Sequence, residues 1–129
     1  MIHAGDFFGV SALEELESLC PIVHAVYGNV DEPALRSLPL ALEVEIGGEI
    51  VGLIHDAGPA RSRLARLRRR FPQAAAVVFG HSHLPLHEEE SGFQIFNPGS
   101  PTERRRAPHP SMGLLTCVKR GLVFEHIWL

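Results

Sequence analysis

The stretch Ala75-Ala-Val-Val-Phe79, followed at once by Gly80-His-Ser-His83, decides the fold that we predict. A short apolar run of this kind is typical of a buried strand. Three other apolar runs end in the same way, at Gly5-Asp6, at Gly28-Asn29 and at His55. The carboxyl ends of strands in an open α/β sheet meet at one edge, so we expect these polar side chains to converge there.

The remaining pattern predicts one layered α/β domain over residues 1–129 with a mixed sheet. A first helix is expected from a capping box at Ser11 and Glu14 as far as Pro21, and a second over 60–70. Gly47-Gly48 predicts a hairpin turn. Strands are predicted at 2–4, 22–27, 40–46, 49–55, 75–79, 86–89, 93–96, 113–119 and 122–129.

Composition excludes several classes of protein. The hydrophobic fraction of 45% excludes a disordered chain, and no apolar run is long enough to span a bilayer. The net charge of −3 argues against a dedicated nucleic-acid binder. The start lacks the pattern of a secretory signal, and the two cysteines, Cys20 and Cys117, are interpreted as reduced, buried thiols of a cytoplasmic protein.

The polar residues at the strand ends are suited to a metal site. They comprise one carboxylate, one amide and three imidazoles, from Asp6, Asn29, His55, His81 and His83. This mixture of oxygen and nitrogen donors suits Mn²⁺, Fe²⁺, Zn²⁺, Co²⁺ or Ni²⁺. The spacing of His81 and His83 allows both rings to lie on one face of an extended segment, where they could reach two adjacent ions.

In their order along the chain, these blocks resemble the calcineurin-like metallophosphoesterases. The matching blocks are His3-Ala-Gly-Asp6, Gly28-Asn-Val-Asp31, His55, Gly80-His-Ser-His83 and Asn97-Pro-Gly-Ser100. The resemblance is to the small bacterial and archaeal phosphodiesterase branch, which the eukaryotic retromer scaffold subunit also resembles. It implies a four-layer α/β/β/α sandwich with mixed sheets.

The resemblance also implies roles for individual residues. Asp6 would bridge two metal ions, with Asn29, His55 and His81 completing the shell of one ion and His83 binding the other. Residues 97–100 would form a structural turn that carries no metal. A metal-bound hydroxide would attack a small phosphate-ester substrate, and one or two divalent ions are implied, with Mn²⁺ first among them.

The sequence departs from the family pattern in two places. The strand carrying Asp-x-His and the helix after it, which open the family pattern, have no counterpart, so the second ion would keep only Asp6 and His83. We expect either a natural start upstream of Met1 or a short chain with little activity that fills the gap in its sheet as a homo-oligomer. Val30 stands where many relatives carry an acid-catalytic histidine, so esters with good leaving groups would be favoured.

Two further interpretations stay open. Arg104 and Arg105 follow the 97–100 turn and are candidates for binding substrate phosphate, whereas the arginines of 61–70 form either a solvated helix face or a surface that attracts phosphate or nucleic acid. The leading hypothesis is a metal-dependent phosphodiesterase. Its alternatives are an inactive scaffold or binding module on the same fold, and a metal-free core with scattered histidines.

Overall fold

The computed structural model describes residues 1–129 and arranges nine strands and two α-helices in layers. The helices are α1 (Val10–Leu19) and α2 (Arg63–Arg70), with a short 3-10 helix at Pro33–Ser37. The strands are β1 (Ile2–His3), β2 (His24–Ala25), β3 (Ala41–Ile46), β4 (Glu49–Ile54), β5 (Ala76–Phe79), β6 (Leu86–Glu90), β7 (Phe93–Asn97), β8 (Ser111–Val118) and β9 (Gly121–Trp128).

The largest sheet has five strands in the order β3-β4-β5-β7-β6. Its three central strands run parallel, and each outer strand pairs antiparallel with its neighbour. The hairpin predicted at Gly47-Gly48 is confirmed, since both glycines have positive φ and join β3 to β4. Strands β4 and β5 end immediately before His55 and Gly80, so the turns that begin at these two residues lie at the same edge of the sheet.

Two smaller sheets cover one face of the large sheet. Strands β1 and β2 pair parallel, strands β8 and β9 pair antiparallel, and no hydrogen-bonded ladder joins the two pairs. The core between the small sheets and the large one includes Val26, Leu53, Val78, Phe96 and Phe124, all of them buried. The layer is therefore joined to the large sheet by apolar packing.

The helices lie outside the two sheet layers. Leu67 of α2 and Phe71, the residue directly after the helix, pack with Val77 and Phe79 on the other face of the large sheet. Helix α1 packs with Phe7, Ala25 and Leu35 on the outer side of β1 and β2. The layer order is α/β/β/α with mixed sheets, so the predicted fold class is confirmed.

Local predictions at both helix starts were wrong. Helix α1 is preceded by Gly9, and Ser11 lies inside its first turn, so the expected capping box with Glu14 does not form. Helix α2 begins at Arg63 because Ser62 has a left-handed φ of 55° that a helix cannot include. The cysteines are free, as expected, but the expectation that both are buried was wrong, because Cys117 is exposed and Cys20 only partly buried.

The hairpin of β8 and β9 has one buried and one exposed face. Leu122 and Phe124 point into the core between the sheets. The opposite side, which we call the outer face of the hairpin, exposes apolar side chains that lie between 39% and 47% accessible: Met112, Leu114, Val118, Val123 and Ile127. Neither helix of the protein is long and apolar enough to cross a membrane.

Candidate metal centre

Four turns at the strand ends bring the predicted ligands into one cluster. Ligand atoms of Asp6, His55 and His81 all lie within 4.8 Å of one another. Asn29 joins them, because its Oδ1 lies 2.8 Å from His55 Nε2 and 2.8 Å from His81 Nδ1. His83 is the outermost member, with its Nε2 3.9 Å from Asp6 Oδ2. Side chains that are far apart in sequence thus meet at the carboxyl ends of strands from two sheets, the β1–β2 pair and the large sheet, and not at the edge of a single sheet.

Backbone carbonyls orient two of the imidazoles. His55 Nδ1 lies 2.6 Å from the Ala4 carbonyl oxygen, and His83 Nδ1 lies 2.7 Å from that of Glu103. A carbonyl only accepts, so Nδ1 carries the proton and donates in both rings. In a neutral ring, Nε2 then presents a lone pair. Both lone pairs face Asp6, whose Oδ1 lies 3.4 Å from His55 Nε2.

This set of donor atoms fits a divalent cation. Asp6 Oδ2 is buried and has no hydrogen-bond partner, which is costly for a carboxylate oxygen. The lone pairs of His55 and the oxygens of Asn29 and Asp6 converge on the same small volume, where they repel one another unless a cation lies between them. Imidazole, amide and carboxylate donors without thiolate suit a transition metal such as Mn²⁺ or Zn²⁺.

Three of the candidate ligands have an unusual backbone conformation. Asp6, His81 and His83 have φ values of 64°, 63° and 58°, in the left-handed region that few non-glycine residues adopt. Such conformations persist only where the surrounding structure enforces them, and they cluster at functional sites. The turns therefore direct these side chains inward at some local cost.

Asp31 enforces the conformation of the first turn. Its buried carboxylate accepts backbone N–H bonds from Asp6 and Phe8, both at 3.1 Å, from Gly28 at 2.7 Å, and from Phe7. One side chain thereby ties the turn after β1 to the turn after β2. Asp31 lies in one of the matching blocks, but the sequence indicated no role for it, and its position three residues after Gly28 was the only available signal of a turn.

Two glycines allow these turns to interlock. A Cβ added to Gly28 would lie 2.2 Å from the Asp6 backbone nitrogen and 2.3 Å from Asp6 Oδ1. A Cβ on Gly5, which has a φ of 93°, would lie 2.8 Å from both the Gly28 nitrogen and His55 Nδ1. No side chain fits at either position while the cluster keeps this geometry.

Asn97 supports the turn that carries the two histidines. It is fully buried, and its Nδ2 donates to the Gly80 carbonyl oxygen at 2.9 Å and to Ser82 Oγ at 3.1 Å. Its Oδ1 accepts the Gly99 N–H at 2.9 Å. Asn97 thereby ties the turn after β5 to the turn after β7, and the absence of a metal-binding role for residues 97–100 stays a prediction.

His3 lies beneath the cluster as a neutral ring. It stacks on Phe7 with ring centroids 3.7 Å apart, and its Nδ1 accepts the Gly5 N–H at 3.2 Å. Burial lowers the pKa of His3 from 6.5 to about 4, although the nearby carboxylates of Asp31 and Asp6 act in the opposite direction. The ring therefore contributes packing and an acceptor without a charge.

The other residues singled out in the sequence differ in whether they contact the cluster. Val30 donates its N–H to Asp6 Oδ1 at 3.2 Å, so its backbone orients a ligand while its side chain is exposed. Arg105 donates to the His81 carbonyl oxygen at 2.9 Å. Arg104 instead donates to the Ala107 carbonyl oxygen at 2.8 Å within its own loop, and its role in binding phosphate stays a prediction.

The chain is similar in sequence to known phosphoesterases. The model of the calcineurin-like phosphoesterase superfamily domain matches residues 1–120. A probable metallophosphoesterase of Methanothermobacter thermautotrophicus is 36% identical over 107 residues, which cover 81% of this chain and 62% of that relative, so the chain spans less than two thirds of its length.

Two solved structures show the same architecture. An archaeal phosphodiesterase has a TM-score of 0.78 and 26% identity, with 99% of this chain and 81% of that one covered. Wild-type Vps29 of Entamoeba histolytica complexed with Zn²⁺ has a TM-score of 0.77 and 25% identity, with 98% and 80% covered. The chain belongs to the calcineurin-like phosphoesterase superfamily.

Proposed function

We propose that the protein is a metal-dependent phosphoesterase that acts on phosphodiesters. The observation that carries this proposal is the Asp6 carboxylate, whose buried Oδ2 has no hydrogen-bond partner and whose two oxygens are approached by the Nε2 atoms of His55 and His83. The similarity to an archaeal phosphodiesterase supports the diester as substrate class. A small phosphate ester is the substrate that we expect at this open edge of the sheet, in a protein of the cytoplasm.

The cluster divides into one full and one partial set of ligands. Asp6, Asn29, His55 and His81 would hold one ion, and Asp6 with His83 would contact a second. A bound divalent ion would lower the pKa of the water molecule that it holds and would polarise a phosphoryl oxygen of the substrate. Mn²⁺ is the first choice, with Fe²⁺, Zn²⁺, Ni²⁺ and Co²⁺ as alternatives, and the Zn²⁺ complex of Vps29 makes zinc a natural comparison.

The protein contributes orientation and substrate charge recognition. The Ala4 and Glu103 carbonyls hold His55 and His83 in the tautomer that presents Nε2. Arg105, anchored on the His81 carbonyl, is the candidate for binding a substrate phosphate oxygen. Val30 cannot donate a proton from its side chain, so we expect aryl diesters to be cleaved faster than alkyl diesters.

The test is hydrolysis of bis(4-nitrophenyl) phosphate with and without added Mn²⁺. We expect metal-dependent turnover that falls more than about 100-fold in His81→Ala, because one ligand is lost. His87→Ala is the matched control, since His87 is an exposed histidine on β6 that bonds to Gln94. Absence of turnover with all five metals, or equal loss in both variants, would contradict the proposal.

The alternative function is that of a scaffold, and the outer face of the hairpin favours it. Five large apolar side chains are exposed there, and such faces commonly mark contact with another protein. The solved relatives named Vps29 have this fold. A second copy of the chain is the partner that we propose, because it would remove this face from water.

Ile127→Lys tests the scaffold alternative by placing a charge at the outer face. We expect sedimentation analysis to show an oligomer for the wild-type chain and a monomer for the variant. Glu125→Lys, on the same side of β9, is the control for a change of charge alone. A monomeric wild-type chain with metal-dependent turnover would support the enzyme and contradict self-association.

A further inference from the structure

An open cleft lies beside the ligand cluster and extends the site in one direction. It has a volume of about 340 Å³ and is lined by two candidate ligands, Asn29 and His55, and by Arg70, the last residue of α2. Tyr27 and Ile54 give it an apolar wall. The cleft therefore joins the place where a phosphate would bind to a cationic side chain outside the cluster.

The ring of Tyr27 is fixed in this wall. Its hydroxyl donates to the Asp31 carbonyl oxygen at 2.9 Å, which ties the phenol to the same turn that carries Asn29. A fixed aromatic face beside the cluster offers stacking area to a flat group without loss of side-chain freedom. The cleft is thus suited to the organic part of an ester.

Arg70 and its neighbour Arg69 form no ion pair and donate no hydrogen bond, whereas the other three arginines of α2 donate to backbone carbonyl oxygens. Of the two free arginines only Arg70 lines the cleft, and its guanidinium carbon lies 5.9 Å from the centre of the Phe71 ring. Arg66 instead donates to the carbonyl oxygens of Ala57 and Pro59, both at 2.7 Å. Arg70 consequently keeps its full set of guanidinium donors for a ligand.

The groove continues past Arg70. A second hollow of about 190 Å³ shares Ile54, Asp56 and Arg70 with the first. Asp56 is the one carboxylate in this region, and its Oδ1 accepts the Gly58 N–H at 2.7 Å. Arg70 lies where the two hollows meet, so a ligand reaching from the cluster along the groove would pass its guanidinium.

Building on the proposed phosphodiesterase activity, we propose that the cleft binds one esterified group of the substrate and that Arg70 binds a second oxyanion on that group. The preferred substrates are diesters whose organic part is flat and carries an additional carboxylate or phosphate. Guanidinium recognises both oxyanions through paired hydrogen bonds. Arg70 then determines specificity, while the cluster binds the scissile phosphate.

Binding of two phosphinates tests this directly, because they have no ester bond to cleave. The probes are dibenzylphosphinate and the same compound with a carboxylate on one ring, titrated by calorimetry into the Mn²⁺-loaded and metal-free protein. We expect the carboxylated probe to bind about tenfold tighter to the wild-type protein, because one charge-assisted hydrogen bond strengthens binding by about this factor. Arg70→Ala should reduce this ratio to about one.

Arg69→Ala is the matched control, since Arg69 is an exposed neighbour on α2. It should keep the tenfold preference, whereas Asp56→Asn should increase it by removing a like charge from the groove. The proposal is overturned if the wild-type protein shows no preference, including no detectable binding of either probe. It is also overturned if Arg70→Ala keeps the preference.

Hydrolysis separates this proposal from the one it builds on. Phenyl 4-nitrophenyl phosphate and its carboxyphenyl counterpart are compared as substrates with Mn²⁺, and we expect kcat/KM to favour the carboxylated diester. Metal-dependent cleavage of both at equal kcat/KM overturns the role of Arg70 alone. Failure to cleave either overturns the proposed function, and the phosphinate ratio then still decides whether the cleft recognises the oxyanion.

Discussion

The turns around the ligand cluster and the hairpin of β8 and β9 are stabilised in different ways. Polar contacts fix the turns: Asp31 accepts backbone N–H bonds from the segment 6–8 and from Gly28, and Asn97 donates to the Gly80 carbonyl oxygen and to Ser82 Oγ. The hairpin is held by its inner face, through Leu122 and Phe124, and leaves its outer face in water. The comparison teaches that hydrogen bonds set the geometry of the site, whereas apolar packing attaches the rest of the layer.

The largest expected effect comes from the inner face of the hairpin. Phe124 is buried and stacks on Phe96 with ring centroids 4.9 Å apart. Phe124→Ala should lower the free energy of unfolding by about 4 kcal/mol, through lost burial and a cavity. Val123→Ala, on the exposed side of the same strand, should change it by less than about 0.5 kcal/mol. Urea denaturation measures both, and equal losses would contradict the division of the hairpin into two faces.

Asp31→Ala should have the next largest effect, because it removes the acceptor from several partly buried N–H groups at once. We expect a loss of about 3 kcal/mol in the free energy of unfolding. Asp56→Ala is the control, as this exposed carboxylate accepts one bond, from Gly58, and should cost less than about 1 kcal/mol. Chemical denaturation of both variants compares them. Similar small losses would show that the turns do not depend on this carboxylate.

A smaller effect is expected from pH, through His3. Since burial lowers the pKa of His3 to about 4, the unfolded chain takes up this proton first as the pH falls through 6.5. The stability that the protein gains from keeping His3 neutral is complete above pH 6.5 and is lost towards pH 4. Between pH 7 and pH 5 this loss lowers the free energy of unfolding by about 2 kcal/mol. His3→Asn keeps a polar acceptor without the titration and should remove this part of the pH dependence. An unchanged pH dependence of stability in the variant would contradict the role of His3.

Most of the fold could be predicted from the sequence because its signals are local. The run 75–79 and the hairpin glycines at 47 and 48 specify strands and a turn through neighbouring residues alone. The convergence of Asp6, Asn29, His55 and His81 followed from one topological rule about strand ends. That rule predicts which residues approach one another but not their distances.

The features that the sequence did not predict depend on partners far along the chain. Asp31 accepts bonds from the segment 6–8, and Glu103 orients His83 through a carbonyl that any residue possesses. Ser11 was expected to cap α1 from a local pattern, but Gly9 occupies that place. The lack of hydrogen bonds at the Arg70 guanidinium is a property of the folded structure, in which Arg66 on the same helix donates to two carbonyl oxygens.

The close approach of Gly5 and Gly28 has a consequence for how mutational scans of this protein should be interpreted. Neither residue has a functional group, yet a single added methyl at either position would collide with the backbone or ligand atoms opposite it. A scan that scores activity alone would rank both positions with the imidazoles and the carboxylate. Measurements of folded yield alongside activity would separate residues that supply donor atoms from glycines whose missing side chain lets the two turns approach each other.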